Sequence, residues 1–107
     1  MKIDSPEEIE IARAASAFAA LGSEQRLSVL RTLVRAGQDG LSIGELGQRT
    51  GVTGSTLTHH LKILTQAGLV HQTRKGRSII SSAVAYDEVR KLSDFLMKEC
   101  CADISPD

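Results

Sequence analysis

The two cysteines of the sequence, Cys100 and Cys101, are adjacent and lie near its C-terminal end. Thiolates bind soft metal and metalloid ions, and thiols are also oxidised to sulfenic acid or to disulfides. A bridge between these neighbours is disfavoured, because consecutive Cα atoms are only ~3.8 Å apart and disulfides usually span a wider separation. Three interpretations remain open, which are a soft-ion site, a redox-sensitive thiol and two inert buried cysteines.

A second group of chemically useful residues is basic. Residues 54–82 contain four basic side chains and no acidic one, and they include all three histidines. Residues 1–10 and 83–107 are both net acidic, so that the whole chain has a net charge of zero. A basic block of this kind indicates a polyanionic partner such as nucleic acid, although an ordinary solvated surface has the same composition.

The basic block begins with a segment of helical periodicity. Leu57, Leu61 and Leu64 fall on one face of this helix, so its polar residues point the opposite way. Those residues are short or basic, as the reading of a DNA major groove requires, and the ones predicted to contact DNA are Ser55, Thr56, Thr58, His59 and Lys62, with Gln66 on the same side. His60 flanks the apolar stripe and is predicted to be a packed, hydrogen-bonded core residue.

Two β-prone runs follow, residues 69–73 and 78–84, and a glycine turn separates them. This pattern predicts a hairpin whose tip carries Arg74, Lys75 and Arg77. At the tip of a hairpin these side chains can reach DNA phosphates or the minor groove.

Start and stop signals along the chain predict five helices and one hairpin. Ser5-Pro6-Glu7-Glu8, Ser23, Ser42 and Thr53 are candidate caps, and Gly37, Gly51 and Gly68 are candidate ends. The predicted helices cover about 6–20, 23–37, 42–51, 53–68 and 86–101. The predicted apolar faces are Leu27, Leu30, Leu33 and Val34 on the second helix and Val89, Leu92, Phe95 and Leu96 on the last.

This order predicts a fold that is mainly α with a small β-hairpin, a winged helix-turn-helix. Residues 1–107 form one DNA-binding domain, with the helix-turn-helix at about 43–67, the wing at about 69–84 and a C-terminal dimer and sensor helix at about 86–101. Aromatic residues make up only 3% of the chain. A small aliphatic core of this kind is often completed by a second copy of the chain, which favours a homodimer.

Membrane insertion and export are not expected from this sequence. It contains no run of 18 apolar residues, and its most signal-like stretch, residues 14–21, follows an acidic rather than a basic segment. A cytoplasmic location is therefore predicted, where two cysteines are expected to be reduced.

The stretches LGSEQRLSVLRTLV (21–34) and LSIGELGQRTGVTGSTLTHHLKILTQAGLVHQTRKGR (41–77) resemble the ArsR/SmtB family of metal- and metalloid-responsive repressors. The resemblance covers about residues 15–101. It implies a homodimer built from the first and last helices, which binds a double-stranded operator with an imperfect palindrome and leaves it when an inducer binds.

The resemblance also implies where an inducer site can lie. The family's Cys-Val-Cys arsenic site would fall in residues 43–50, which contain no cysteine, and its zinc and nickel sites use histidines that the last helix lacks. A third subgroup has an adjacent cysteine pair at the end of the last helix and binds trivalent arsenicals. Cys100 and Cys101 match that pair, but the third cysteine found downstream in its better-known members is missing here.

Two thiolates suit an arsenical that already carries one carbon. Trivalent arsenic takes three ligands, so a methylated or aryl As(III) needs only two sulfurs, while arsenite would need water, an external thiol or a carboxylate such as Glu99 or Asp103. No cofactor is required in this interpretation. The sequence thus predicts a DNA-binding repressor released by As(III) or by methylated or aryl As(III) at Cys100 and Cys101.

Other functions are kept as alternatives. A zinc, cadmium or lead sensor would need about four ligands, and the histidines lie far along the chain from the cysteines. A thiol redox sensor and a DNA-binding protein without an inducer, such as an antitoxin or an architectural factor, are also compatible with the pattern. An enzyme is not predicted, because no nucleophile stands near a base and no phosphate-binding loop is present.

Overall fold

A computed structural model describes residues 6–104 of the chain. The helices are α1 (Pro6–Ala20), α2 (Glu24–Ala36), α3 (Ile43–Thr50), α4 (Gly54–Gln66) and α5 (Tyr86–Met97). The strands are β1 (Leu41–Ser42), β2 (Val70–Lys75) and β3 (Ser78–Ala83). The mainly α fold with a hairpin is confirmed, while the predicted cap at Ser5 lies outside the described residues.

Helix starts follow the predicted caps where these can be seen. The hydroxyl of Ser23 accepts a hydrogen bond from the amide of Arg26, and Ser42 forms a complete capping box with Glu45. The hydrogen bonds to Ser42 lower the pKa of the Glu45 carboxyl below its ordinary value. At Thr53 the hydroxyl donates to the Thr56 hydroxyl instead of capping a backbone amide.

The turn between α3 and α4 depends on two glycines. Gly51 ends α3 with φ of 74° in the left-handed region, where a side chain is disfavoured. A Cβ at Gly47 would lie 3.3 Å from the carbonyl oxygen of Val52 and 3.9 Å from the Leu57 side chain. These two positions therefore allow the close crossing that the sequence predicts for a helix-turn-helix.

The sheet has three antiparallel strands in the order β1-β3-β2. In the hairpin, Val70 lies opposite Ala83 and Lys75 opposite Ser78, so the turn is short and the basic residues fall at its tip. The two-residue strand β1 was not predicted. It pairs with β3 through Leu41 and Ser42 and joins the hairpin to the start of α3.

The core is aliphatic, as the composition predicts. Its fully buried side chains include Leu33, Leu46, Leu57, Leu61 and Leu64. The predicted apolar face of α2 is partly wrong. Leu30 and Leu33 are buried together with Val29, whereas Leu27 and Val34 are 44% and 48% exposed because α3, α4 and the sheet cover the other side of the helix.

The predicted C-terminal end of the last helix is also wrong. Helix α5 ends at Met97, and residues 98–103, here named the thiol turn, form consecutive turns instead of further helix. None of the α5 side chains is fully buried, and Leu96 of the predicted stripe is 70% exposed. Among residues 6–104 no helix is long and apolar enough to cross a membrane.

Candidate nucleic-acid interface and thiol site

Helix α4 separates a buried face from a polar one. Leu57, Leu61 and Leu64 are buried beneath α2 and α3, and the predicted DNA-contacting side chains are all exposed on the remaining surface. These side chains, here named the reading face, are Ser55, Thr56, Thr58, His59 and Lys62. The hydroxyl of Thr58 donates to the carbonyl of Gly54, so only its lone pairs are free for a ligand.

The hairpin presents its cations without competing partners. Arg74, Lys75 and Arg77 are exposed around Gly76, and within residues 6–104 none of them forms an ion pair. The base of the hairpin is fixed by Ser81, which is fully buried and accepts a hydrogen bond from the Gln72 amide. A hydrogen-bonded hairpin with exposed cations at its tip suits contacts to phosphates.

Helix α3 adds one basic residue that the sequence interpretation did not single out. Arg49 is exposed in the last turn of α3. The first helix of a helix-turn-helix crosses the DNA backbone, so a cation there is a candidate phosphate contact. The sequence feature that could have identified Arg49 is its position in the predicted helix-turn-helix, residues 43–67.

His60 is buried, as predicted. Only 7% of the residue is exposed, and both ring nitrogens face residues of the first turn of α2. Nε2 lies 2.8 Å from Gln25 Oε1, and Nδ1 lies 3.4 Å from a guanidinium nitrogen of Arg26. His60 is therefore part of the packing between α2 and α4 and is not available to DNA.

The thiol turn brings the two cysteines together. Both are free and exposed, and their Sγ atoms lie 3.0 Å apart. Cys101 has a positive φ of 66°, and it is the only non-glycine residue among residues 6–104 that does. This left-handed backbone conformation turns its side chain toward that of Cys100. The hydrogen bond with Cys100, and to a lesser degree desolvation, raise the pKa of the Cys101 thiol.

The described part of the chain offers two soft ligands at this place. Among residues 6–104 no group of three or more Cys, His, Asp and Glu side chains is arranged to hold a metal ion. Glu99 and Asp103, which flank the cysteines, therefore do not complete a three-ligand site. The arrangement suits an ion that needs two protein sulfurs and brings its remaining ligands with it.

One ion pair connects the thiol turn to α1. The ammonium of Lys98 lies 2.9 Å from Glu10 Oε1 and stacks 5.5 Å from the ring centre of Phe95. The hydrogen bond and the charge of Glu10 raise the pKa of Lys98. The start of the turn is thus linked to the first helix as well as to α5.

Helices α1 and α5 leave an apolar surface open. A groove of about 1000 Å³ runs between them and the end of α4, and its lining includes Ile9, Leu92 and Phe95. Further large apolar side chains are exposed on the two helices, namely Ile11, Phe18, Tyr86, Leu96 and Met97.

The helix-turn-helix, followed directly by a short basic hairpin and a final helix, defines the class of the protein as a winged helix-turn-helix. Residues 21–73 match a family model described as a helix-turn-helix domain. Over 90 residues the chain is 32% identical to the transcriptional activator HlyU of Vibrio cholerae, an alignment that covers 84% of the chain and 80% of HlyU.

A second relative and a solved structure agree with this class. The chain is 38% identical over 64 residues to the HTH-type transcriptional regulator YceK of Bacillus subtilis, which covers 60% of the chain and 63% of YceK. An ArsR-like transcriptional regulator from Rhodococcus sp. RHA1 superimposes with a TM-score of 0.72 at 31% identity, over 88% of this chain and 84% of that one. The chain belongs to the ArsR/SmtB family of transcriptional regulators.

Proposed function

We propose that the protein is a cytoplasmic, homodimeric repressor that leaves its operator when a trivalent arsenical binds Cys100 and Cys101. The observation that supports the inducer is the 3.0 Å separation of two exposed thiols, which belong to no group of three or more Cys, His, Asp or Glu ligands among residues 6–104. The observation that supports DNA binding is the reading face of α4 beside a hairpin with three unpaired cations.

The proposed operator is an imperfect palindrome, because a twofold dimer presents two copies of α4 to the duplex. Each copy enters the major groove, and the centres of the two half-sites are about 34 Å, or one helical turn, apart. The wing residues Arg74, Lys75 and Arg77 then hold the adjacent phosphates or minor groove. Lys62 is assigned to phosphate, and the shorter residues of the reading face to base edges.

The proposed dimer uses α1 and α5. The large apolar side chains left exposed in the single chain concentrate on these two helices, where a second copy would bury them. Such an interface sets the distance between the two α4 helices. It therefore links the thiol turn, at the end of α5, to the fit on DNA.

The two thiols are close enough to bind one ion. Their Sγ atoms lie 3.0 Å apart, within the span that two ion–sulfur bonds of about 2.3 Å can bridge. An aryl- or methylarsonous acid, R–As(OH)₂, exchanges its two As–OH bonds for two As–S bonds and releases two waters, with no change of oxidation state.

The route from the thiols to the DNA is proposed to begin at Lys98. Two As–S bonds fix the side chains of Cys100 and Cys101 and so rearrange the turn that starts at Lys98. The ion pair of Lys98 with Glu10 joins this turn to α1. A shift of α5 against α1 alters the dimer interface and favours a spacing of the α4 helices that no longer fits the operator.

Intact-mass spectrometry with phenylarsine oxide tests the thiol site without DNA. One phenylarsenic group per protomer is expected, with the mass that corresponds to the loss of water. The single variants Cys100→Ser and Cys101→Ser are expected to lose the stable adduct, because one As–S bond is readily hydrolysed. An adduct of equal stability in either single variant would place the arsenical elsewhere.

A thiol redox sensor is the second candidate function. The thiols are exposed, and HlyU, a relative of this chain, is known in a form described as reduced. The raised pKa of Cys101 argues against it, since peroxide reacts with the thiolate. Loss of DNA binding on treatment with stoichiometric hydrogen peroxide, restored by dithiothreitol, would favour redox sensing over arsenic sensing.

A further inference from the structure

Three helices meet at a small, partly buried polar cluster. His60 of α4 is one of two buried polar or charged residues among residues 6–104, and the other, Ser81, belongs to the sheet. Around the ring lie Gln25 and Arg26 from the first turn of α2. Arg26 in turn reaches the C-terminal end of α1, where its Nε donates to the carbonyl oxygen of Ala20 at 2.7 Å.

We infer that Arg26 and His60 form a bridge that positions α4 against the end of α1, and that proton uptake by His60 breaks this bridge and weakens DNA binding. The inference rests on the DNA-binding part of the proposed function and goes beyond it, since neither residue belongs to the reading face, the hairpin or the thiol turn. It makes His60 a positioning residue for the reading face, which includes its neighbour His59.

The hydrogen bonds determine the state of the imidazole. A guanidinium has only donors, so Nδ1 of His60 must accept the contact from Arg26, which is 3.4 Å long. Nε2 then carries the proton and donates to Gln25 Oε1 at 2.8 Å. A second proton on Nδ1 would face the guanidinium N–H directly, so the bridge exists only with a neutral ring.

The surroundings of the ring act against protonation. Desolvation is the largest cause that lowers the pKa of His60, followed by the charge of Arg26 and then by that of His59. Among residues 6–104, Arg26 on α2 and His59 on α4 are the charged or titratable groups that act on the ring, and no carboxylate from α1, α3 or the sheet offsets them. The imidazole therefore stays neutral at neutral pH, and the bridge is closed.

The direction of the pH effect follows from this lowered pKa. An unfolded or loosened chain binds the proton more readily than the packed one, so the contribution of the bridge is complete above about pH 6.5. It is lost as the pH falls through the lower pKa of the packed ring.

The test measures affinity by fluorescence anisotropy on a labelled duplex selected by the full-length protein from a randomised pool. Between about pH 7.5 and 5.5 the wild-type affinity is expected to fall about tenfold. His60→Gln and Arg26→Gln are expected to lose this decrease, because neither has a bridge to break, and to bind more weakly than the wild type at neutral pH. Arg31→Gln removes an exposed charge from α2 and serves as the control, with the wild-type pH profile.

Nuclear magnetic resonance supplies a readout that needs no DNA. The ring protons of His60 and the backbone amides at Ala20 and Leu21 are expected to titrate with one common midpoint in the wild type. In Arg26→Gln the midpoint of the ring is expected to move to higher pH, because the opposing charge is gone, and the amides at Ala20 and Leu21 are expected to stop following it.

Each outcome decides the inference. An acid-induced loss of affinity that persists in His60→Gln and in Arg26→Gln overturns it, and so do α1 amides that ignore the titration of the ring. If either variant fails to fold, the wild-type titration and the other variant still decide. Failure of the wild-type protein to bind any duplex would contradict the proposed function, while the common midpoint would still show whether the bridge exists.

Discussion

At the scale of single residues, the two adjacent thiols form the proposed inducer site. Cys101 adopts a left-handed backbone conformation that brings its sulfur within 3.0 Å of Cys100. Their hydrogen bond raises the pKa of Cys101, so this thiol is protonated at neutral pH. This proton must therefore leave when an ion binds, and the group that accepts it depends on the ion.

The pH dependence of binding separates arsenicals from zinc. Phenylarsine oxide carries the protons away as water, so its affinity is expected to be nearly constant between about pH 6 and 8. Zinc releases a free proton for each thiol that it deprotonates, so its affinity is expected to rise steeply with pH. Isothermal titration calorimetry in two buffers measures this difference, and a steep pH dependence for phenylarsine oxide would contradict the proposed exchange.

Gly40 is a second residue of interest, because the structure leaves no space there for a Cβ atom. It has φ of 69°, and a Cβ there would overlap the carbonyl oxygen of Ser81. Gly40→Ala is expected to lower the free energy of unfolding by about 3 kcal/mol, through the left-handed backbone and the steric overlap together. Gly54→Ala is the matched control, since nothing lies within 4 Å of its Cβ and its φ is ordinary.

Chemical denaturation measures both glycine variants. Gly54→Ala is expected to stay within about 0.5 kcal/mol of the wild type. An equal loss of stability in the two variants would mean that the contact between Gly40 and β3 is not tight in solution.

At the scale of the elements, the hairpin is expected to act as an electrostatic arm. Arg77→Ala removes one unpaired cation from each protomer, so it is expected to weaken binding to most sequences. The slope of log affinity against log salt is expected to become shallower by about 0.9 per lost phosphate contact. Arg31→Ala removes the same charge from the outer side of α2 and is expected to leave the slope unchanged. Equal salt slopes for the wild type and Arg77→Ala would show that Arg77 of the wing does not contact DNA phosphates.

Local signals were sufficient to predict most elements. The capping box at Ser42, the glycine at 51 and the leucines at 57, 61 and 64 act within a few residues of each other, so helices α3 and α4 follow from the sequence. Strand β1 could not be predicted from the sequence, because its two residues show no periodicity and pair only with the distant strand β3. The exposure of Leu27 depends on which side of α2 is covered, which is a property of the tertiary packing.

The candidate site was predictable to different degrees. Burial of His60 follows from its place beside the leucine stripe, but its link through Arg26 to α1 needs three helices in position. The pairing of Cys100 with Cys101 is evident from adjacency. The end of α5 at Met97 is not evident from the sequence, because no glycine or proline follows it before Pro106.

At the scale of the whole molecule, the open α1–α5 surface predicts the dimer. Leu96→Glu is expected to weaken self-association about hundredfold, because each protomer loses a buried leucine and gains a buried charge. Val34→Glu, on the outer side of α2, is the matched control and is expected to remain dimeric. Sedimentation velocity measures both, and an unaffected Leu96→Glu dimer would show that the chains associate through another surface.

The central claim is that one pair of thiols controls DNA binding by the dimer. The most direct test is titration of the protein–duplex complex with phenylarsine oxide, followed by fluorescence anisotropy, for the wild type and for the double variant Cys100→Ser, Cys101→Ser. We expect release of the wild type at about one equivalent per protomer, and a double variant that binds the duplex as tightly as the wild type and stays bound. Release of the double variant, or retention of the arsenical-loaded wild type, would contradict the account.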